Sequence, residues 1–257
     1  MSTTKPAIVI IAGSFTPASF YDPVVDKLKS AGYPIVDVIV FPSIGRRDSE
    51  PPATMYDDAN FIRARVEKLA DEGHDMVLVP HSYGGIPASE SMKGLAKSQR
   101  ETQGKRGGVV KMLYVAAIVP AVGELSSSIM GDKTADYMQV EDDGYLSLKP
   151  EESAKACFSD MPFEEALKLA KQWPQHSAVS FGGALAYAGY KDVPVSWLYM
   201  EKDQVVKPAS QDLCIKNIEK ASGKSVDVHK LDGGHFPFQS RVDETTRIIR
   251  VVAGENV

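Results

Sequence analysis

A serine, an aspartate and a histidine, in that order along the chain, carry the chemistry this sequence suggests first. Ser82 lies in Pro80-His81-Ser82-Tyr83-Gly84, directly after the apolar run Met76-Val77-Leu78-Val79. Gly85-Ile86-Pro87-Ala88-Ser89-Glu90 follows at once and reads as the start of a helix. A serine between a buried strand and a helix, flanked by small residues, is the pattern of a nucleophile elbow. So tight a turn demands a strained backbone at the nucleophile. Gly84 leaves room for strand and helix to cross, and the helix start points amides at any oxyanion formed there. The motif departs from G-x-S-x-G at Pro80, which a strand tolerates only where its ladder is ending. The plainer reading is an ordinary strand-to-helix turn that contains a serine.

A serine alcohol needs a base, and the base needs an acid to hold its tautomer. Of five histidines, His81 adjoins the serine and is expected to point away into packing. His74 falls in a polar loop, His229 within a strand, and His176 in a long inserted segment. His235 follows the last strand in Leu231-Asp232-Gly233-Gly234-His235-Phe236-Pro237, where two glycines allow a loop that brings the imidazole over the sheet edge. It is the expected base. Asp203, in Glu201-Lys202-Asp203-Gln204, follows the preceding strand and is the expected acid. Glu201 and Glu124 are the alternatives, and a helix cap is the other role for Asp203. The order Ser82, Asp203, His235 is that of one particular fold. Oxyanion donors are expected from the Tyr83 amide and from the loop Ala12-Gly13-Ser14-Phe15, through the amide of Ser14 or Phe15.

The elements that must position these groups alternate. Ala7–Ile11, Ile35–Phe41, Met76–Pro80, Val109–Ala116, Val195–Met200 and Ser225–Leu231 read as strands. Helices are expected from Ser19 through Gly32, over Tyr56–Glu72 with Phe61, Ile62, Val66 and Leu69 inward, and over Asp243–Val252. This predicts an α/β fold, a doubly wound, mostly parallel sheet of about six strands whose carboxyl ends carry the site. Pro120–Asp192 breaks the alternation. It offers a hairpin, Tyr137–Val140 with Tyr145–Leu148, and helices over Glu151–Phe158 and Phe163–Trp173. The expected division is a core of residues 1–119 and 193–257 with a cap, or lid, of residues 120–192. Phe15, Tyr83, Phe236 and Phe238 from the core, and Met130, Tyr137, Trp173, His176 and Phe181 from the cap, are the candidate substrate-binding residues.

Composition narrows the partners. The chain has 257 residues, 43% hydrophobic and 25% charged, and a formal net charge of -5. That gives no reason to expect nucleic acid or an anionic membrane. The basic stretch Lys93–Arg106 reads as a solvated helix end and loop. Two cysteines, Cys157 and Cys214, make neither a disulfide framework nor a metal-ligand spacing. The polar start and the short run Ala7–Ala12 lack a signal-peptide core, so a cytoplasmic protein is expected. No metal is expected, a small molecule is the expected partner, and a homodimer is left open.

Over nearly its whole length the sequence resembles the α/β-hydrolase superfamily. It is most similar to small esterases of the plant methylesterase and hydroxynitrile-lyase type and to related fungal and bacterial hydrolases. The resemblance rests on Ala12-Gly13-Ser14-Phe15, Pro42-Ser43-Ile44-Gly45, His81-Ser82-Tyr83-Gly84-Gly85, Tyr114-Val115-Ala116-Ala117, Glu201-Lys202-Asp203 and Gly234-His235. It implies a Ser82-His235-Asp203 triad, a cap over an apolar pocket, and no cofactor. The usual His-Gly before the oxyanion loop is Ala12-Gly13 here. The lysine and threonine of the lyases correspond to Phe236 and Gly13, which counts against cyanohydrin cleavage. The expectation is therefore an esterase or lactonase. A ligand-binding receptor, or a lyase, condensation catalyst or cofactor-free oxygenase on the same fold, remains the alternative.

Overall fold

The computed structural model describes residues 5–47, 49–131 and 135–257. Its frame is a six-stranded, wholly parallel sheet. β1 (Ala7–Ile11) is a five-residue apolar run buried on both faces. A 3-10 turn, Ala18–Tyr21, leads into α1 (Asp22–Ser30), then β2 (Val36–Ile39) and α2 (Met55–Asp71). β3 (Asp75–Pro80) ends in a 3-10 turn, Ser82–Gly84, which continues into α3 (Gly85–Ser91). α4 (Lys97–Glu101) and β4 (Gly108–Val115) follow.

The long insertion then builds α5 (Ser127–Met130), β5 (Met138–Val140), β6 (Tyr145–Leu148), α6 (Pro150–Cys157), α7 (Phe163–Ala170) and β7 (His176–Ser177). β5, β6 and β7 form a separate three-stranded antiparallel sheet. The frame closes with β8 (Val195–Met200), α8 (Pro208–Ser222), β9 (Asp227–Leu231), α9 (Pro237–Ser240) and α10 (Val242–Val252). Its strand order is β2-β1-β3-β4-β8-β9. The order reverses at β1, so β1 and β3 diverge into helices on opposite sides, and a crevice opens at their carboxyl ends. No helix of the described residues is long and apolar enough to cross a membrane.

Several boundaries differ from expectation for local reasons. The helix expected from Ser19 starts at Asp22, because Pro23 seats itself in the first turn, where its missing N–H costs nothing. α2 starts one residue early, since Thr54 caps it: the Thr54 side chain accepts from Asp57 N, and Asp57 reaches back to Thr54 N. Phe61 is not inward but 48% exposed. The buried stripe runs through Met55, Ala59, Ile62, Val66 and Leu69, and Phe61 is turned off it. α7 stops at Ala170, and Pro174 disfavours helix at Trp173. Arg100 does not join the solvated basic stretch. It is buried, donating to Gly107 O at 3.0 Å and to Asp71 Oδ1 at 2.6 Å.

Candidate active site

The turn after β3 is strained at its serine. Ser82 has φ of 52°, in the left-handed region that a serine rarely adopts. Two close approaches enforce the turn. A Cβ on Gly84 would lie 2.3 Å from Ala12 O, and one on Gly85 would lie 2.6 Å from Ile118 O. Pro80 falls in the gap between the regular β3–β4 register, which ends at Leu78 and Met112, and the isolated His81–Val115 bridge, where its missing N–H is tolerated. His81 N then donates to Ile11 O at 3.0 Å, holding the turn against β1.

Ser82 Oγ lies 3.0 Å from His235 Nε2, and His235 Nδ1 lies 2.8 Å from Asp203 Oδ2. The carboxylate can only accept, so Nδ1 carries the proton and Nε2 presents its lone pair to the hydroxyl. Asp203 Oδ1 accepts from Val205 N at 2.7 Å and Val206 N at 2.9 Å, which fixes the carboxylate. All three side chains are buried. A hydroxyl, an imidazole and a carboxylate in this line can generate an alkoxide-like nucleophile. The rival acids lie elsewhere. Glu201 is exposed beyond β8, and Glu124 accepts from Ala121 N at 3.3 Å in its own turn.

The loop carrying His235 is shaped by close packing. Neither Gly233 nor Gly234 has positive φ. A Cβ on Gly234 would instead lie 2.7 Å from Asp160 Oδ1 and Ser159 Oγ of the insertion. The glycines therefore admit the insertion rather than an unusual backbone.

His81 does point into packing, and it ties the site together. Its Nε2 faces the His235 carbonyl at 3.0 Å and must donate, so Nδ1 accepts from Tyr21 Oη at 3.0 Å. Tyr21 Oη in turn accepts from Gly13 N at 2.8 Å. Burial, with the nearby His235, holds the His81 pKa well below its ordinary value, so the ring is neutral. One chain of protons thus runs from the loop after β1 to the backbone of His235. This network joins three distant segments, and no local sequence signal announces it.

The amides of that loop have different partners. Gly13 N is spent on Tyr21, and Phe15 N donates to His176 Nδ1 at 3.4 Å. The Ser14 amide donates to no group among the described residues. Phe15 stands at φ of 60°, a second strained position.

A cavity of about 40 Å³ opens beside Ser82. Phe15, Tyr137, Trp173 and Phe236 line it as expected, and Met138, Leu148, Cys157 and Val205 join them. The other expected lining residues lie outside it. Met130 is on the solvent side of α5 and 37% exposed. The Tyr83 side chain turns away to donate to Asp58 Oδ2 at 2.9 Å. His176 is bonded to Phe15, and Phe181 packs against Tyr83 with centroids 5.0 Å apart. Phe238 lies behind the site against Tyr21 at 4.8 Å. The missed residues are apolar positions on the insertion and after β8, indistinguishable in sequence from ordinary core. Cys157 is inert as a nucleophile at neutral pH, since burial and nearby Asp203 push its thiol up to about 12.

A parallel sheet reversing at β1, with a strained serine after β3 facing an imidazole and a carboxylate, defines an α/β-hydrolase architecture. The chain belongs to the alpha/beta hydrolase family, whose model matches residues 8–248. It is 35% identical over 251 residues to the probable hydrolase R7 of a Phoma species, covering 98% of this chain and 99% of that protein. Among solved structures it is similar to a pyrethroid hydrolase from Sphingobium faniae, with TM-score 0.71 and 21% identity, covering 96% of this chain and 97% of that one. It is also similar to the methylesterase MES16 of Arabidopsis, with TM-score 0.68 and 20% identity, covering 96% and 99%.

Proposed function

We propose that this protein is a serine hydrolase that cleaves a small, uncharged carboxylic ester or lactone through an acyl-enzyme. The observation that carries the reading is the line of Ser82 Oγ, His235 and Asp203 at 3.0 and 2.8 Å. In the first half-reaction Ser82 Oγ attacks the carbonyl carbon while His235 Nε2 takes its proton. The Tyr83 and Ser14 amides bind the oxyanion, a contact that is strongest in the transition state. His235 then returns the proton to the leaving alcohol. Water, deprotonated by the same nitrogen, releases the acid and restores Ser82.

The lining supports an uncharged substrate. Apart from the imidazoles of His81 and His235 and the hydroxyls of Ser14, Thr16 and Ser82, the cavity presents aromatic, aliphatic, thioether and thiol side chains, and no Lys, Arg, Asp or Glu among the described residues. A carboxylate or ammonium on the substrate would be buried there unpaired. The same absence of a cation beside His235, where Phe236 stands, speaks against a cyanide leaving group. Residues 120–192 act as the cap, with Tyr137, Met138, Leu148, Cys157 and Trp173 forming the roof. At about 40 Å³ the cavity has space for only a few waters, so the roof side chains must shift to admit an ester.

The test is a panel of esters and lactones followed by mass spectrometry. Turnover by the wild-type protein and its loss in Ser82→Ala, with the fold intact by circular dichroism, is the expected result. Near-normal turnover in Ser82→Ala rules out the serine mechanism, and binding without turnover by the wild type favours a receptor.

A further inference from the structure

His176 belongs to the insertion but is fastened to the core. β7 pairs with β6 on one side, Leu146 opposite His176. On its other side Ile44 bridges His176, Ser177 N donates to Ser43 O at 2.8 Å, and Gly45 N donates to Gln175 O at 2.7 Å. The imidazole is fully buried and outside the cavity beside Ser82.

Its hydrogen bonds have one consistent direction. Phe15 N donates to Nδ1, so Nδ1 holds a lone pair and Nε2 holds the proton. Nε2 faces Ser180 Oγ at 3.0 Å and Ser43 Oγ at 3.3 Å. Ser180 Oγ donates to Ser177 O at 2.9 Å, and Ser43 Oγ donates to Asp58 Oδ2 at 2.6 Å. Asp58 also accepts from Tyr83 Oη, on the residue after Ser82. The chain therefore starts at the loop after β1 and ends on the elbow. The rings pack in the same sense: His176 lies 5.0 Å from Phe15 and 5.2 Å from Tyr83 between centroids.

Phe15 needs such support. A bulky residue at φ of 60° sits in a sparsely populated region and persists only when its surroundings hold it there. Fixing the Phe15 N–H fixes the Ser14–Phe15 peptide plane, and through the Ser14 Cα it limits how the preceding Gly13–Ser14 peptide, which carries the Ser14 N–H, can turn; among the described residues that N–H has no partner.

We propose that His176 is a positioning residue that holds Phe15 in its left-handed conformation and so aims the Ser14 amide at the oxyanion beside Ser82. The proposal rests on the serine-hydrolase reading. It divides the insertion by task. Tyr137, Leu148, Cys157 and Trp173 roof the pocket, while the segment around His176 belongs mechanically to the oxyanion frame.

His176→Leu and His176→Asn test it. Leucine removes the acceptor, whereas the asparagine Oδ1 can replace Nδ1 opposite Phe15 N. Misplacement of a reacting contact by about 1 Å can cost about 100-fold. His176→Leu should lower kcat towards that factor with KM little changed. Affinity for a trifluoromethyl ketone, whose tetrahedral adduct needs the oxyanion donors, should fall in step. His176→Asn should recover part of both losses. If the leucine variant does not fold, the asparagine variant and the spectroscopic readout below still decide. Unchanged kcat in His176→Leu overturns the proposal, as does asparagine no better than leucine with KM rising in parallel. Nitrogen-15 NMR of the wild type reads the contact without any turnover. His176 should show the Nε2–H tautomer and no titration between about pH 5 and pH 8. An Nδ1–H tautomer or a titrating ring overturns the proposal whatever Ser82 does. The expected tautomer in a protein that neither turns over esters nor forms the adduct refutes the hydrolase reading instead.

Discussion

At the scale of the residue, the site is a matter of who donates to whom. Asp203 fixes His235 by accepting from Nδ1, and two backbone amides fix Asp203. Asparagine at this position favours the wrong imidazole tautomer. Asp203→Asn should therefore lower kcat by about 10⁴-fold, with the fold retained. Glu124→Gln and Glu201→Gln should leave steady-state turnover close to wild type. A crippled Glu124→Gln beside a mild Asp203→Asn would move the acid to the segment after β4. The meeting of Ser82, His235 and Asp203 was legible in the sequence because each sits just past a strand's carboxyl end. The networks behind them were not. His81, Tyr21 and Gly13 are joined through proton directions that exist only once three segments meet, and the same is true of His176, Ser43 and Asp58.

Elements set those residues at their distances, and the elbow is where the sequence constrains them most. Gly84 has an ordinary φ of -54°, so its role is space and not conformational freedom. A methyl at 2.3 Å from Ala12 O must push α3 away from β1, or push the loop after β1 away from Ser82. Gly84→Ala should lower the urea midpoint by an amount equivalent to about 1–3 kcal/mol or more, and activity should fall further than stability alone explains. An alanine variant with the wild-type midpoint and turnover would mean that the elbow relaxes freely. Strand and helix identities were readable from apolar runs and from helical spacing. Ends were less so, since Pro23 and Pro174 act within a residue or two of a boundary. The insertion was least readable: two-residue β7 has no periodicity, yet its pairing to Ser43 and Ile44 places His176 against the loop after β1.

For the whole molecule, three buried groups behind the site make stability depend on pH. Burial lowers His81 well below its ordinary value and His176 to about 3. Burial raises Asp58 to about 6, against three hydrogen bonds that pull it down. Near pH 5 the unfolded chain holds protons on both histidines and the folded chain holds one on Asp58. The unfolded state then binds one proton more from these groups, so stability falls as pH drops below about 6.5, at roughly 1.4 kcal/mol per pH unit. Asp58 opposes this trend. Its raised pKa contributes stability that is present below the unfolded carboxylate range and is lost as pH rises through about 6. Asp58→Asn should therefore steepen the acid loss between about pH 4.5 and pH 6, and His176→Asn should flatten it. Urea titrations across that range read the slopes, and parallel slopes in all three proteins would show that neither group titrates as the burial argument requires.

The central claim, that Ser82 is a nucleophile activated by His235, is tested most directly by labelling with a small fluorophosphonate and mapping the adduct by peptide mass spectrometry. The probe needs the serine, its base and the oxyanion donors but little of the pocket. The account predicts one adduct per chain, on Ser82, that is absent in Ser82→Ala and forms far more slowly in His235→Ala. An unlabelled wild-type protein, an adduct on another serine such as Ser14 or Ser43, or equal labelling rates with and without the His235 imidazole would contradict it.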